Sequence, residues 1–144
     1  MKIYIATEVN QPIQSVWKGF NLSLFKALAP PFPPVEVKVF DGCLTGDVVS
    51  LELDFFVAKQ RWTSVITDQK STDDEIYFVD FGTELPFFLK FWEHRHRIVR
   101  QGKSAVIIDD ITFKSPFLVL DYLLYPFLYL QFLYRKPIYR KLFS

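Results

Sequence analysis

The sequence is short of the residues that build disulfide-linked or zinc-bound domains. Among its 144 residues it has one cysteine, Cys43, and two histidines, His94 and His96. A lone cysteine cannot form an internal disulfide, and no Cys/His spacing of the zinc-binding kind is present. The sequence therefore excludes a disulfide-stapled domain and a cysteine-based zinc site.

The chain also has a small net charge and few glycines. The 17 basic residues nearly balance the 16 acidic ones, which leaves a net charge of +1 and no overall field for nucleic acid. With five glycines, the chain has neither a glycine-rich phosphate loop nor a nucleophile elbow. The first residues, MKIYIATEVNQP, lack the apolar core of a signal peptide. These features predict a cytoplasmic protein with no nucleic-acid partner.

Apolar residues, in contrast, are abundant. Half of the residues are hydrophobic and 18% are aromatic, including 16 phenylalanines. Such a chain buries enough apolar surface to offset the entropic cost of folding, which argues against disorder. A chain of 144 residues is also long enough for one sizeable core. We therefore expect residues 1–144 to form a single domain.

The order of the periodic segments predicts an α+β fold. Lys2–Val9 places Ile3 and Ile5 on one face, as a strand does. Pro12 then opens two short amphipathic helices, which end before the proline-rich segment 29–34. Six strands follow, beginning near residues 35, 46, 59, 75, 87 and 103. Because no helical pattern separates them, we expect an antiparallel sheet followed by a C-terminal helix.

The last two strands are predicted to form a β-hairpin closed at Gln101-Gly102. With that turn, the positions of cross-strand partners sum to 203. The resulting pairs are His94 with Asp109, His96 with Ile107, Trp92 with Ile111 and Ile98 with Ala105. All of these share one face of the sheet, because side chains alternate along a strand. We expect this face to point inward, because the opposite face mixes charged residues.

A directly opposed His94 and Asp109 would lie within hydrogen-bond reach of each other. Three interpretations fit this pair. It is a buried polar pair that satisfies its own hydrogen bonds, or a polar anchor in a ligand cavity. The third interpretation is a catalytic dyad or a metal site with two histidines and one carboxylate. No third metal ligand with convincing spacing accompanies the histidines, so we predict no metal.

Several stretches resemble the START-like, or SRPBCC, helix-grip superfamily. They are VWKGF after the first strand, PFP before VKVFDG, FVDFGTELPF, the W-x-H-x-H run at Trp92-His94-His96, and IIDDITFKSP before the last helix. The resemblance spans nearly the whole chain and is strongest to small bacterial ligand-binding or cyclase/dehydrase-like members. It implies a curved antiparallel sheet, β-α-α-β6-α, wrapped around a long C-terminal helix. An apolar cavity is then expected between sheet and helix, with no cofactor.

The resemblance also implies which residues face that cavity. They are Trp62, Phe78, Trp92, His94, His96, Asp109 and Ile111 from the sheet, and Leu120 and Leu124 from the last helix. The function it implies is binding of a small hydrophobic molecule, such as a lipid, isoprenoid or polyketide, by a carrier or sensor. The alternative is a cofactor-free cyclase or dehydratase in which Asp109 holds His94 as the general base.

The last helix departs from a typical domain helix because it is apolar on all sides. We expect it to run from Ser115-Pro116 to Phe143, kinked or broken near Pro126 and again near Pro137. Its apolar part approaches the ~20 residues that span a bilayer, but polar residues interrupt it, so we interpret it as a domain helix. Its outward residues predict a peripheral membrane contact or a homodimer contact. They are Tyr122, Tyr125, Tyr129, Phe132, Arg135 and Lys136.

Overall fold

The computed structural model describes the whole chain, residues 1–144. Its elements are β1 (Lys2–Val9), α1 (Ile13–Lys18), α2 (Leu22–Ala27), β2 (Val35–Phe40), β3 (Val48–Asp54), β4 (Lys59–Ser71), β5 (Glu75–Glu84), β6 (Phe91–Gln101), β7 (Ser104–Lys114), α3 (Leu118–Leu133) and α4 (Arg135–Leu142). The seven strands form one antiparallel sheet in the order β1-β7-β6-β5-β4-β3-β2. This arrangement confirms the predicted α+β helix-grip fold.

Strand β1 shows how the sheet acquires an inner face. Ile3, Ile5, Thr7 and Val9 are buried, and the residues between them are exposed. This alternation follows from the two-residue repeat of a strand. Because β1 pairs with β7, the first and last strands of the chain lie side by side beneath α3 and α4.

Two clusters of buried side chains pack against this inner face. The first joins the short helices and α4 to the middle of the sheet, and it includes Leu28 and Phe78. The second joins β1, β6 and β7 to α3, and it includes Trp92 and Phe132. All four of these side chains also line a cavity between sheet and helices. The core therefore closes around an internal space.

The β6–β7 hairpin differs from the prediction by one position at its turn. Gln101 pairs with Ser104, so the two turn residues are Gly102 and Lys103. Gly102 has φ +60°, the left-handed conformation that a tight hairpin turn places at a glycine. The positions of cross-strand partners therefore sum to 205, and the predicted partners are wrong. The observed pairs are Trp92 with Phe113, His94 with Ile111, His96 with Asp109 and Ile98 with Ile107. Because each partner moves by two residues, every side chain keeps its predicted face.

The C-terminal helix is divided into two segments. It breaks at Tyr134, between α3 and α4, whereas Pro126 lies within α3. Pro137 lies in the first turn of α4, where the proline needs no intrahelical N–H bond. The break lies three residues before Pro137, as predicted, and Pro126 does not end the helix. None of the helices has both the length and the apolar character that crossing a bilayer requires.

Candidate functional site

A cavity of about 610 Å³ lies between the inner face of the sheet, the α2–β2 segment and α3. Its size falls in the range of small-molecule sites, which are roughly 300–1,000 Å³. Most of its wall is apolar, as such sites require. Representative wall residues are Leu28, Val37, Leu51, Trp62, Phe88 and Leu128.

Five of the nine residues expected at the cavity line it. They are Trp62, Phe78, Trp92, His94 and His96. Asp109 is buried and reaches the cavity only through its hydrogen bond with His94, and Ile111 is enclosed in the second core cluster.

The last helix lines the cavity with a different segment from the one expected. Leu120 and Leu124 are half-buried but are not part of the wall. The wall residues of this segment lie further along the chain: Phe127, Leu128, Gln131, Phe132 and Arg135. A helix that is apolar on all sides gives no sequence signal for its inward face, so the sequence does not identify the residues that line the cavity.

Polar side chains form a connected network at one end of the wall. His94 Nε2–H donates to Asp109 Oδ1 at 2.9 Å. His96 Nε2–H donates to Asp80 Oδ2 at 2.7 Å, and Trp92 Nε1–H donates to Asp80 Oδ1 at 3.2 Å. His94 Nδ1 lies 3.7 Å from Asp80 Oδ2. The network therefore crosses three adjacent strands, β5, β6 and β7.

Asp80 is the central acceptor of this network, and it was absent from the residues expected at the site. It lies on β5 directly opposite His94. It is two residues beyond Phe78, so the two-residue repeat that turns Phe78 inward also turns Asp80 inward. That repeat is the sequence signal that identifies it.

Aromatic stacking fixes the orientation of the two imidazoles. The His94 and His96 rings stack with centroids 3.5 Å apart and planes inclined by 28°. Phe78 covers the other side of His96, with centroids 4.3 Å apart. Trp62 and Trp92 meet edge to face at 4.7 Å. A packed aromatic wall thus holds the polar end in one geometry, as preorganised sites need.

The charge states of the acids and of His96 follow from this packing. Burial acts to raise the pKa of Asp80, but the hydrogen bond from His96 and the nearby imidazoles outweigh it, so the pKa lies below its ordinary value. For Asp109, burial is likewise outweighed by the hydrogen bond from His94 and the charge of Arg135, and its pKa is lowered. Burial, together with the charge of His94, lowers the pKa of His96 to about 4. Near neutral pH, two carboxylates therefore face an uncharged His96.

The predicted outward edge of the last helix is partly wrong. Phe132 is buried and stacks on Trp92, with centroids 5.9 Å apart. Arg135 lies over the Phe132 ring at 4.3 Å and lines the cavity, where its Nη1 is 3.6 Å from Asp109 Oδ1. Lys136 donates to the backbone carbonyl of Ala6. Two members of the expected membrane or dimer surface therefore belong to the interior.

The other members of that edge lie nearer the surface. Tyr122 is exposed, and Tyr125 and Tyr129 are half-buried and stack on each other at 6.0 Å. Beside them, α3 exposes further apolar side chains to solvent. They are Leu118, Val119, Leu123 and Leu130.

Asp80, His94 and His96 also bring three metal-ligand atoms within 4.8 Å of one another. The third ligand missing from the sequence pattern is thus Asp80. However, two imidazoles bind one ion only when both ring planes contain it, about 2 Å from each nitrogen. Stacked rings inclined by 28° do not converge at that distance. The observed arrangement fits a hydrogen-bonded network better than a metal centre.

No protein-family model and no curated protein matches this chain. Solved structures do match it. Protein Ms6760 from Mycobacterium smegmatis has a TM-score of 0.71 at 16% identity, covering 99% of this chain and 90% of that one. Norcoclaurine synthase from Thalictrum flavum, in complex with dopamine and hydroxybenzaldehyde, has a TM-score of 0.59 at 14% identity, covering 88% and 76%.

The Zhui aromatase/cyclase from Streptomyces sp. R1128 is a more distant match. It has a TM-score of 0.51 at 19% identity and covers 81% of this chain and 70% of that one. Identities this low concern the fold alone, because this architecture carries many unrelated functions. The three structures confirm the helix-grip fold that the sequence resemblance implied.

Proposed function

We propose that this helix-grip domain is a carrier or sensor that binds a small hydrophobic molecule in the cavity between sheet and α3. The supporting observation is the cavity itself: about 610 Å³, mostly apolar, with one polar end. An apolar body buries its surface against Trp62, Phe88 and Leu128, and the polar end orients the ligand. Lipids, isoprenoids and polyketides have this chemistry.

Tryptophan fluorescence offers a direct test, because the three tryptophans differ in position. Trp62 and Trp92 line the cavity, whereas Trp17 does not and packs against Phe78 at 6.0 Å. We expect a ligand from a panel of fatty acids, isoprenoid alcohols and aromatic polyketides to change the emission. Trp17→Phe should retain the response, and Trp62→Phe and Trp92→Phe should diminish it. A panel that produces no response in any variant would contradict the proposal.

A cofactor-free cyclase or dehydratase is the second candidate. The observation that favours it is the 2.9 Å hydrogen bond between His94 and Asp109 at the cavity wall. Against it, His94 Nδ1 faces Asp80 at 3.7 Å, so neither ring nitrogen is directed freely at a ligand. A poly-β-ketone analogue incubated with wild type and His94→Gln would test it. Turnover that disappears in the folded variant supports an enzyme, and turnover that persists excludes His94 as the base.

An interaction role for α3 is the third candidate, through its exposed Leu118, Val119, Tyr122, Leu123 and Leu130. Exposed apolar side chains in one area indicate a contact with a membrane or with another copy. Flotation with anionic liposomes, comparing wild type with Leu123→Glu/Leu130→Glu, tests the membrane contact. Flotation that the double variant loses supports it, and equal behaviour of the two proteins contradicts it.

We also propose a cytoplasmic location, which cell fractionation would test.

A further inference from the structure

Arg135 is the cation at the polar end of the cavity wall, and one of its N–H groups lacks an acceptor. Its Nη1 is buried without a partner. The nearest carboxylate oxygen, Oδ1 of Asp109, is 3.6 Å away, which is beyond hydrogen-bond distance. Its side chain is only 18% exposed, so bulk solvent compensates little of the charge. A buried guanidinium with unmatched N–H groups is unfavourable unless something else accepts from them.

The other polar side chains at this end of the wall are hydrogen-bonded within the network. Both oxygens of Asp80 accept hydrogen bonds, from Trp92 and His96. His94 donates to Asp109. Asp80 and Asp109 thus accept from side chains of the network, whereas the Nη1 group of Arg135 at the same end of the wall has no acceptor.

The Arg135 guanidinium is also held in place. It lies over the Phe132 ring, whose centroid is 4.3 Å from Arg135 Cζ. Phe132 in turn is fixed between Trp92 and His94, at 5.9 Å and 5.2 Å. A planar donor fork fixed at one end of an apolar cavity matches the two oxygens of a carboxylate.

We propose that Arg135 binds the carboxylate of an amphipathic ligand whose apolar part fills the rest of the cavity. This inference rests on the proposed ligand-binding function and narrows it to hydrophobic acids. Asp109, which already faces Arg135, then positions the guanidinium and keeps His94 directed at the same end of the cavity.

Decanoate and decanol test the proposal, because they share a chain and differ at the head. Each would displace the neutral fluorophore N-phenyl-1-naphthylamine at pH 8, where the acid is ionised. Wild type is expected to bind decanoate about tenfold or more tightly than decanol, as a charge-assisted hydrogen bond implies. Arg135→Met should remove the preference and leave the affinity for decanol within about threefold, because only the head-group contact is lost.

Two further variants guard against a folding artefact. Arg135→Lys retains the positive charge beside Asp109 but lacks the planar fork, so it should fold and show a reduced preference for decanoate. Arg140→Met removes an exposed cation of α4 and should leave both affinities unchanged. If wild type binds decanol as tightly as decanoate, or if both Arg135 variants keep the preference, the ligand-binding function stands and the Arg135 proposal is wrong. If neither compound nor any member of the wider panel binds, the proposed function fails, and the Arg135 proposal fails with it.

Discussion

His94 and Asp109 are hydrogen-bonded across the β6–β7 pair although they do not lie opposite each other. The bond from Nε2 to Oδ1 is 2.9 Å, yet the register partner of His94 is Ile111 and that of Asp109 is His96. Diagonal neighbours on one face of an antiparallel pair are within reach of side chains as long as histidine. His96 instead bonds Asp80 on the other neighbouring strand. The two histidines of β6 thus join the sheet on both sides.

This relationship predicts different costs for two adjacent aspartates. Asp109→Ala removes the buried acceptor of His94 and the nearest negative charge to Arg135. Breaking a buried charged pair by removing one partner typically costs 3–5 kcal/mol, so we expect the free energy of unfolding to fall by about 3 kcal/mol. Asp110→Ala is the matched control. It lies on the opposite face and is half-buried, and its removal should cost less than about 0.5 kcal/mol.

Urea unfolding of the two variants and wild type, followed by far-UV circular dichroism, measures these changes. Equal losses for Asp109→Ala and Asp110→Ala would contradict the assigned network. If Asp109→Ala lowers the free energy of unfolding by less than about 1 kcal/mol, the contacts of Asp109 with His94 and Arg135 contribute little to the stability of the fold.

The contact between His94 and Asp109 could be predicted from the sequence, but its exact geometry could not. Alternation along two strands places both side chains on one face whichever of the two candidate turns closes the hairpin. The two candidate turns, Gln101-Gly102 and Gly102-Lys103, differ in their first residue. In the observed turn this first residue is Gly102, which has a positive φ. The inward direction of Asp80 follows from the same alternation, because it lies two residues beyond Phe78 on β5.

The residues of α3 that face inward could not be predicted from the sequence, for a different physical reason. A helix that is apolar all round presents no hydrophobic stripe, so nothing separates Leu124 from Leu128 as cavity residues. Tertiary packing decides, and it places Leu128 and Phe132 inward. It also brings Arg135 over Phe132, which lies three residues earlier and is therefore its neighbour on the helix surface.

The pKa of His96 predicts how stability depends on pH. Burial, together with the charge of His94, lowers this pKa to about 4, from an ordinary value of 6.5. Below pH 6.5, His96 of the unfolded chain therefore binds a proton that His96 of the folded protein does not bind. The contribution is fully present above pH 6.5 and is lost progressively as pH falls from 6.5 to the folded pKa, by on the order of 3 kcal/mol.

The lowered pKa values of Asp80 and Asp109 act at lower pH, because their contributions are lost only as the carboxylates of the folded protein protonate. Between pH 6.5 and pH 4.5 the slope should therefore depend on His96. Urea unfolding of wild type and His96→Gln at pH 7.0, 5.5 and 4.5 measures it. His96→Gln retains a donor for Asp80 but does not titrate, so its stability should fall less steeply. An equal slope in both proteins would argue against a neutral, buried His96.

Cys43 is expected to be unreactive in the folded protein. Burial, together with the charges of Asp47 and Asp80, raises the pKa of this thiol to about 12. The thiolate is the reactive form, so almost none of it is present at pH 8. A thiol reagent such as 5,5′-dithiobis(2-nitrobenzoate) should react slowly with native protein and stoichiometrically within minutes in 6 M guanidinium chloride. Rapid reaction of the native protein at pH 8 would place the thiol at the surface.

The three potential metal ligands Asp80, His94 and His96 lead to a last prediction. Their nitrogen and oxygen atoms lie within 4.8 Å, but the imidazoles are stacked at 3.5 Å and already hydrogen-bonded to carboxylates. Binding one ion requires both rings to turn out of the stack and His96 to give up its bond with Asp80. We therefore expect equimolar Zn²⁺ or Co²⁺ to leave the melting temperature unchanged. His94→Gln and His96→Gln serve as controls for ions bound elsewhere. A rise of several degrees in wild type that both variants lose would show that the stack opens, and would establish a metal centre at this end of the cavity.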